Sequence, residues 1–143
     1  MTSTYDPDNI FAKILRGEIP STRVYESDSV VAFMDVMPQA EGHTLVVPKA
    51  ASRNLLDADP AGLGPLMAVV QKIARAVKQA FKADGITVIQ FNEPAAGQTV
   101  FHLHFHVIPR FDGVPLRPHS GKMEDAAVLQ ANAEKIRAAL RSA

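Results

Sequence analysis
The chain has 143 residues, 47% of them hydrophobic and 21% charged, which fits one globular domain with a sizeable core and excludes a disordered chain. Fifteen basic residues balance fifteen acidic ones, so no net field draws in a long nucleic acid, although a local basic pocket for a small phosphate compound stays compatible. With no cysteine there is no disulfide framework and no thiolate to act as ligand or nucleophile. In chain order, Ile10 to Leu15 predicts a short amphipathic helix closed by Gly17 and Pro20. Arg23 to Glu26, Val30 to Met34 and His43 to Val47 predict strands, with Ser27-Asp28 and Gln39 to Gly42 as turns. Asp59 and Pro60 suit the cap and first position of a helix. Along that helix Leu63, Leu66, Met67, Val70, Ile73, Val77 and Phe81 recur at helical spacing. Gly85 suits its left-handed end. Ile86 to Phe91 and Phe101 to Pro109 predict the fourth and fifth strands, joined by a polar loop containing Gly97. Asp125 to Leu140 predicts a last helix through Ala126, Leu129, Ala133, Ile136 and Leu140.

This order predicts an α+β fold: a five-stranded, mostly antiparallel sheet with one long packed helix and a C-terminal helix, residues 1–143 forming one domain. The amino-terminal stretch lacks the regions of a signal peptide, and no apolar run approaches the about 20 residues of a spanning helix. A cytoplasmic protein without a membrane partner is the expectation.

Chemistry concentrates in Phe101-His102-Leu103-His104-Phe105-His106-Val107-Ile108-Pro109, which holds three of the five histidines. Side chains of a strand alternate faces, so His102, His104 and His106 share one face while Phe101, Leu103, Phe105 and Val107 take the other. At about 3.3 Å per residue His102 and His106 lie roughly 13 Å apart, too far for one metal held by all three. A zinc site therefore needs two of the row plus an outsider such as His43. A central imidazole attacking phosphorus needs no metal, given an acceptor for its other nitrogen and flanking histidines to move a proton. Asn92, Gln98 and Thr99 place amide and hydroxyl donors beside the row, suited to phosphate oxygens. His43 opens an apolar strand and fits either a core position or the site. His119, in Arg117-Pro118-His119-Ser120-Gly121, is expected to be an ordinary loop residue.

Gly97-Gln98-Thr99-Val100-Phe101-His102-Leu103-His104-Phe105-His106-Val107-Ile108 resembles the signature of the histidine triad family. Pro38-Gln39-Ala40-Glu41-Gly42-His43-Thr44-Leu45-Val46-Val47-Pro48-Lys49 resembles its upstream histidine strand, and the stretch from Asn9 to Pro20 its amino-terminal segment. The likeness covers about residues 9–110, leaving 111–143 as a C-terminal extension with a helix. It implies a homodimeric nucleotide hydrolase or nucleotidyl transferase of HIT-like fold, acting on a purine nucleoside phosphoramidate or dinucleoside polyphosphate. It further implies His104 as the nucleophile at the α-phosphorus, His106 at the phosphate and leaving group, and His102 and His43 as the network that orients His104. Asn92, Gln98 and Thr99 match phosphate-binding positions, Asp35 the ribose-binding carboxylate, and Ile10, Phe11, Ile19 and Val36 the apolar base pocket.

Departures narrow the choice within the family. Asn9, Ala12 and Ala51 stand where some members carry structural-zinc ligands, so no metal and no cofactor are expected. His106 stands where the uridylyltransferase branch carries glutamine, which implies hydrolysis. Gln98-Thr99-Val100 and Pro109-Arg110 resemble the diadenosine polyphosphate hydrolases, and the amino-terminal block resembles the phosphoramidases. Two other classes stay open: a zinc-dependent hydrolase built on the same imidazoles, and a nucleotide-sensing or partner-binding module with little turnover.

Overall fold
The computed structural model describes residues 5–118 and 122–143. The elements are α1 (Ile10–Leu15), β1 (Arg23–Glu26), β2 (Val30–Met34), β3 (Thr44–Pro48), α2 (Leu63–Phe81), β4 (Gly85–Ile89), β5 (Phe105–Arg110) and α3 (Ala126–Arg141). The strands form one sheet in the order β1-β2-β3-β5-β4, with every neighbouring pair antiparallel. The α+β class expected from the sequence is the observed one. Among the described residues no helix is long and apolar enough to cross a membrane.

Period-two alternation divides the sheet into two chemically distinct faces. Val30, Ala32 and Met34 of β2, Val46 of β3 and Val107 of β5 join one core cluster with the buried sides of α2 and α3. Their neighbours Val31, Phe33, Leu45 and Val47 turn the other way and pack with Phe11 and Ile14 of α1. Asn9 starts α1 by accepting the Ala12 N–H at 2.9 Å, which satisfies one of the amides a helix start leaves unpaired. Because α1 is only six residues long, its stability comes from those buried apolar contacts rather than from helix propensity.

On α2, Leu66, Val70, Ile73 and Val77 are buried as their spacing predicts, but Met67 is 44% exposed. Val69 and Ala76 lie off that stripe, and the sequence leaves open whether a second subunit covers them. They are buried within the chain, in the cluster that contains Leu129, Ala133, Ile136 and Ala139 of α3.

Several boundaries differ from expectation. Asp59 caps a 3-10 turn, Pro60–Gly62, and α2 proper begins at Leu63. The left-handed residue that ends α2 is Lys82 (φ 51°), not Gly85, which opens β4. Closure comes from the Ala83 N–H reaching the Lys78 carbonyl at 3.0 Å, and Ala83 is itself buried. That bond with its apolar contact supports a lysine where glycine is commoner. β3 starts one residue after His43, and β4 stops at Ile89 rather than Phe91. β5 starts at Phe105, four residues later than predicted, because the ladder to β3 ends at the Val46–Phe105 pair. Before it, the Leu103 N–H is taken by the Ser52 carbonyl. His119 lies outside the described residues.

Ile73 is fully buried between the sheet and α3. Ile73→Ala is expected to lower unfolding free energy by about 2–5 kcal/mol, read as a reduced urea midpoint at unchanged slope.

Candidate active site
The α1 face of the sheet carries the polar residues. Asp35 follows Phe33 and His43 precedes Leu45 with the same parity, so both project onto the face of β5 that holds His106. The turn between them is tight. The Asp35 N–H donates to the His43 carbonyl at 3.0 Å, and the His43 N–H to Ala40 at 3.1 Å. Gly42 (φ +94°) lies against the Phe81 ring so closely that a Cβ would come within 2.5 Å of it. Only glycine meets both conditions.

A neutral imidazole carries one proton, so a partner on one nitrogen assigns the other. His104 Nδ1 lies 2.6 Å from the His102 carbonyl, which accepts only, so the proton is on Nδ1 and the lone pair on Nε2. His43 Nδ1 accepts the Gln39 N–H at 3.0 Å. Its proton is therefore on Nε2, 2.9 Å from His106 Nδ1 and 3.4 Å from Asp35 Oδ2. His106 Nδ1, accepting from His43, leaves the His106 proton on Nε2. Ring centroids of His104 and His106 lie 5.1 Å apart, and Phe11 meets His104 edge-on at 4.8 Å.

His102 is held differently. Its Nε2 donates to the Pro48 carbonyl at 2.7 Å, and its Nδ1 accepts from the Tyr5 hydroxyl at 2.6 Å. Both of its nitrogens are thus engaged, and its backbone carbonyl orients His104. Burial pushes the His102 imidazole below its ordinary pKa, opposed in part by the bond to Pro48.

The loop before the row is built by side chains rather than left open. Gln98 donates both amide hydrogens to carbonyls, of Arg53 at 2.8 Å and Val100 at 3.0 Å. Its oxygen accepts from the Glu93 N–H and from Asn54. The Gln98 side chain thus ties the loop together from inside. Asn92 Oδ1 accepts from the Leu55 N–H and from Gln90. Thr99 is exposed. Glu93 sits at φ 76°, ψ 157°, a region that costs a non-glycine residue about 1–3 kcal/mol. A two-pronged Arg53 guanidinium, at 2.7 and 3.0 Å, holds it there and keeps its carboxyl below the ordinary value.

Of the apolar positions proposed for the base, Phe11 is buried and Ile19 packs at the edge of the same cluster, while Ile10 and Val36 are exposed. The structure thus brings together His43, His102, His104, His106, Asp35 and Phe11. Sequence reasoning missed Tyr5, Gln39, Arg53 and Asn54. Gln39 falls in a recognisable turn, but the roles of the others arise from contacts across 39 to 97 residues.

Asp35, His43 and His106 offer ligand atoms within 4.8 Å of one another, a spacing a metal ion can use. This is one histidine of the row with His43 and a carboxylate, rather than the two of the row the sequence suggests. Coordination through His43 Nε2 would require its proton on Nδ1, facing the Gln39 N–H. In the hydrogen-bonded arrangement of the site that nitrogen instead carries the proton directed at His106 Nδ1 and near Asp35 Oδ2.

An antiparallel sheet with histidines gathered on one face, each ring nitrogen's role set by a neighbouring partner, defines a histidine-triad class of protein. The HIT domain model matches residues 16–113, and the chain belongs to that family. A Hit-like protein involved in cell-cycle regulation from Bartonella henselae, solved with an unknown ligand, is 62% identical with a TM-score of 0.90, covering 95% of this chain and 99% of that one. A Zn-bound histidine triad family protein from Mycobacterium smegmatis is 34% identical with a TM-score of 0.82, covering 94% of both chains. The adenylylsulfatase HINT3 of Arabidopsis thaliana is 34% identical over 132 residues, 88% of this chain and 67% of that protein.

Since the folded His102 resists protonation, stability falls as the unfolded chain takes up its proton, below the ordinary imidazole value of about 6.5. Wild type is expected to lose urea midpoint between about pH 7 and pH 5. The gap between wild type and His102→Asn is expected to narrow over that interval; a constant gap contradicts the assignment.

Proposed function
We propose that this HIT protein is a nucleotide hydrolase that forms a covalent nucleotidyl-histidine at His104. The observation that carries this reading is the 2.6 Å bond from His104 Nδ1 to the His102 carbonyl, which leaves the ring's lone pair on Nε2. The substrate class is a purine nucleoside monophosphate joined at its α-phosphorus to an amine, a phosphate or another leaving group. The adenylylsulfatase relative acts on one such electrophile, which supports the class.

In the first step His104 Nε2 bonds to phosphorus and the bond to the leaving atom breaks. The leaving atom takes the proton from His106 Nε2. The His43 N–H directed at His106 Nδ1 stabilises the electron pair left on that ring, and so does the positive charge developing on His104. In the second step water attacks phosphorus, the N–P bond breaks, and the water proton returns to His106 Nε2. The nucleoside monophosphate leaves and His104 regains its lone pair. Thr99 and the loop amides meet the phosphate oxygens, with Asn92 and Gln98 shaping that loop. A carboxylate accepts about four hydrogen bonds, so Asp35 serves the ribose hydroxyls as well as the Met37 N–H it already accepts. Ile10, Phe11, Ile19 and Val36 border the base. A cytoplasmic setting goes with this reading.

The Asp35, His43 and His106 spacing and the zinc-bound relative favour a second reading, metal-assisted hydrolysis. We also infer a homodimer. β4 is an outer strand of the sheet whose Val88 and Ile89 are 44% and 37% exposed, and an exposed apolar edge strand pairs readily with another.

His104→Ala is expected to lower release of adenosine monophosphate from adenosine phosphoramidate by at least about a thousandfold; retained turnover removes the covalent mechanism. Activity is expected to survive a metal chelator, whereas loss in chelator with recovery on added zinc favours the second reading. Light scattering is expected to give twice the chain mass for wild type and a smaller species for Val88→Lys. A monomeric wild type refutes the dimer.

A further inference from the structure
The proton that His43 presents to His106 is set by the Gln39 N–H, and Gln39 is itself held by a segment 78 residues further along. The Arg117 N–H donates to the Gln39 carbonyl at 2.8 Å, and the Gln39 side-chain amide donates back to the Arg117 carbonyl at 3.3 Å. Seven residues on, the Glu124 N–H donates to the Val36 carbonyl at 2.8 Å. The two attachments grip both ends of the turn 36–39. That turn also positions Asp35 through the Met37 N–H at 2.8 Å and His43 through the Gln39 N–H at 3.0 Å. Pro118 restricts Arg117 to an extended backbone, which suits a residue whose N–H and C=O both engage Gln39 of the turn. The Arg117 guanidinium adds only a 3.8 Å contact with Glu124 between partly exposed side chains, worth little in water. The backbone, not the charge, makes the attachment.

We propose that Gln39 and the backbone of Arg117 are positioning residues for the leaving-group proton, acting through His43 on His106. This rests on the hydrolase reading above. If these attachments loosen, His43 samples its other tautomer and ceases to donate to His106. The loss then falls on departure of groups that need a proton, while attack by His104 continues.

The test is Arg117→Pro, which removes the one N–H while remaining compatible with an extended backbone. Two adenylyl substrates are compared, adenosine phosphoramidate, whose amine leaves only when protonated, and the p-nitrophenyl ester of adenosine monophosphate, whose phenolate leaves without a proton. On the phosphoramidate kcat is expected to fall by about tenfold or more, with the ester and both KM values within about twofold. Gln39→Ala, which keeps the bond to His43 and loses only the side-chain contact, is expected to give the same split at about threefold. An equal fall on both substrates, or none on either, overturns the proposal. Nitrogen-15 NMR of the histidines reads it independently of turnover: His43 protonated at Nε2 in wild type and mixed in Arg117→Pro supports it, and an unchanged tautomer overturns it. Absence of turnover on both substrates by wild type would instead sink the hydrolase reading, with the NMR comparison still deciding this one.

Discussion

Each neutral imidazole owns a single proton, and in this protein the partner of one ring nitrogen dictates what the other can do. The four histidines of the site take those partners largely from the backbone: the Pro48 carbonyl for His102, the His102 carbonyl for His104, and the Gln39 N–H for His43. His106 inherits its tautomer from His43. Backbone partners are fixed by sheet register and turn geometry, so the chemistry depends on the fold being correct to within one residue. A slip of one position in β5 would exchange its faces and bring Phe105 or Val107 to where His106 stands.

Much of this was legible in the chain itself. The alternation around His106, the parity of Asp35 with Phe33, and the spacing of Ile73 and Val77 are local patterns, and each points to the face it occupies. The long-range partners were not. Nothing near His102 announces that the Tyr5 hydroxyl or the Pro48 carbonyl will meet it. β5 is shorter than its composition implies, since Phe101 to His104 has strand-forming residues but pairs with no strand, its Leu103 N–H going to Ser52 instead. Lys82 in the place expected of a glycine follows from the Ala83 bond to Lys78, a local closure that residue preference alone does not reveal. The donor chemistry of Gln98 is plain from its side chain, but its partners, the carbonyls of Arg53 and Val100, are not.

The loop that holds Gln98 illustrates how strain is stabilised beside the histidine row. Glu93 occupies a conformation suited to glycine, yet a glycine there would lack the carboxylate that Arg53 and Asn54 bind. Arg53 in turn stacks over Phe101 at 4.2 Å, the first residue of the histidine run. The unfavourable backbone angle thus connects the approach to the histidines with the segment after β3, and it persists because several partners define it together.

Tyr5 contributes one further property. Its hydroxyl reaches the first histidine of the row from 97 residues away, so the segment at Tyr5 lies beside that histidine. The carboxyl end follows α3, which packs on the opposite side of the sheet with α2. A truncation that removes Tyr5 therefore takes away the hydroxyl that His102 accepts from, whereas one that shortens α3 opens the core cluster it shares with α2.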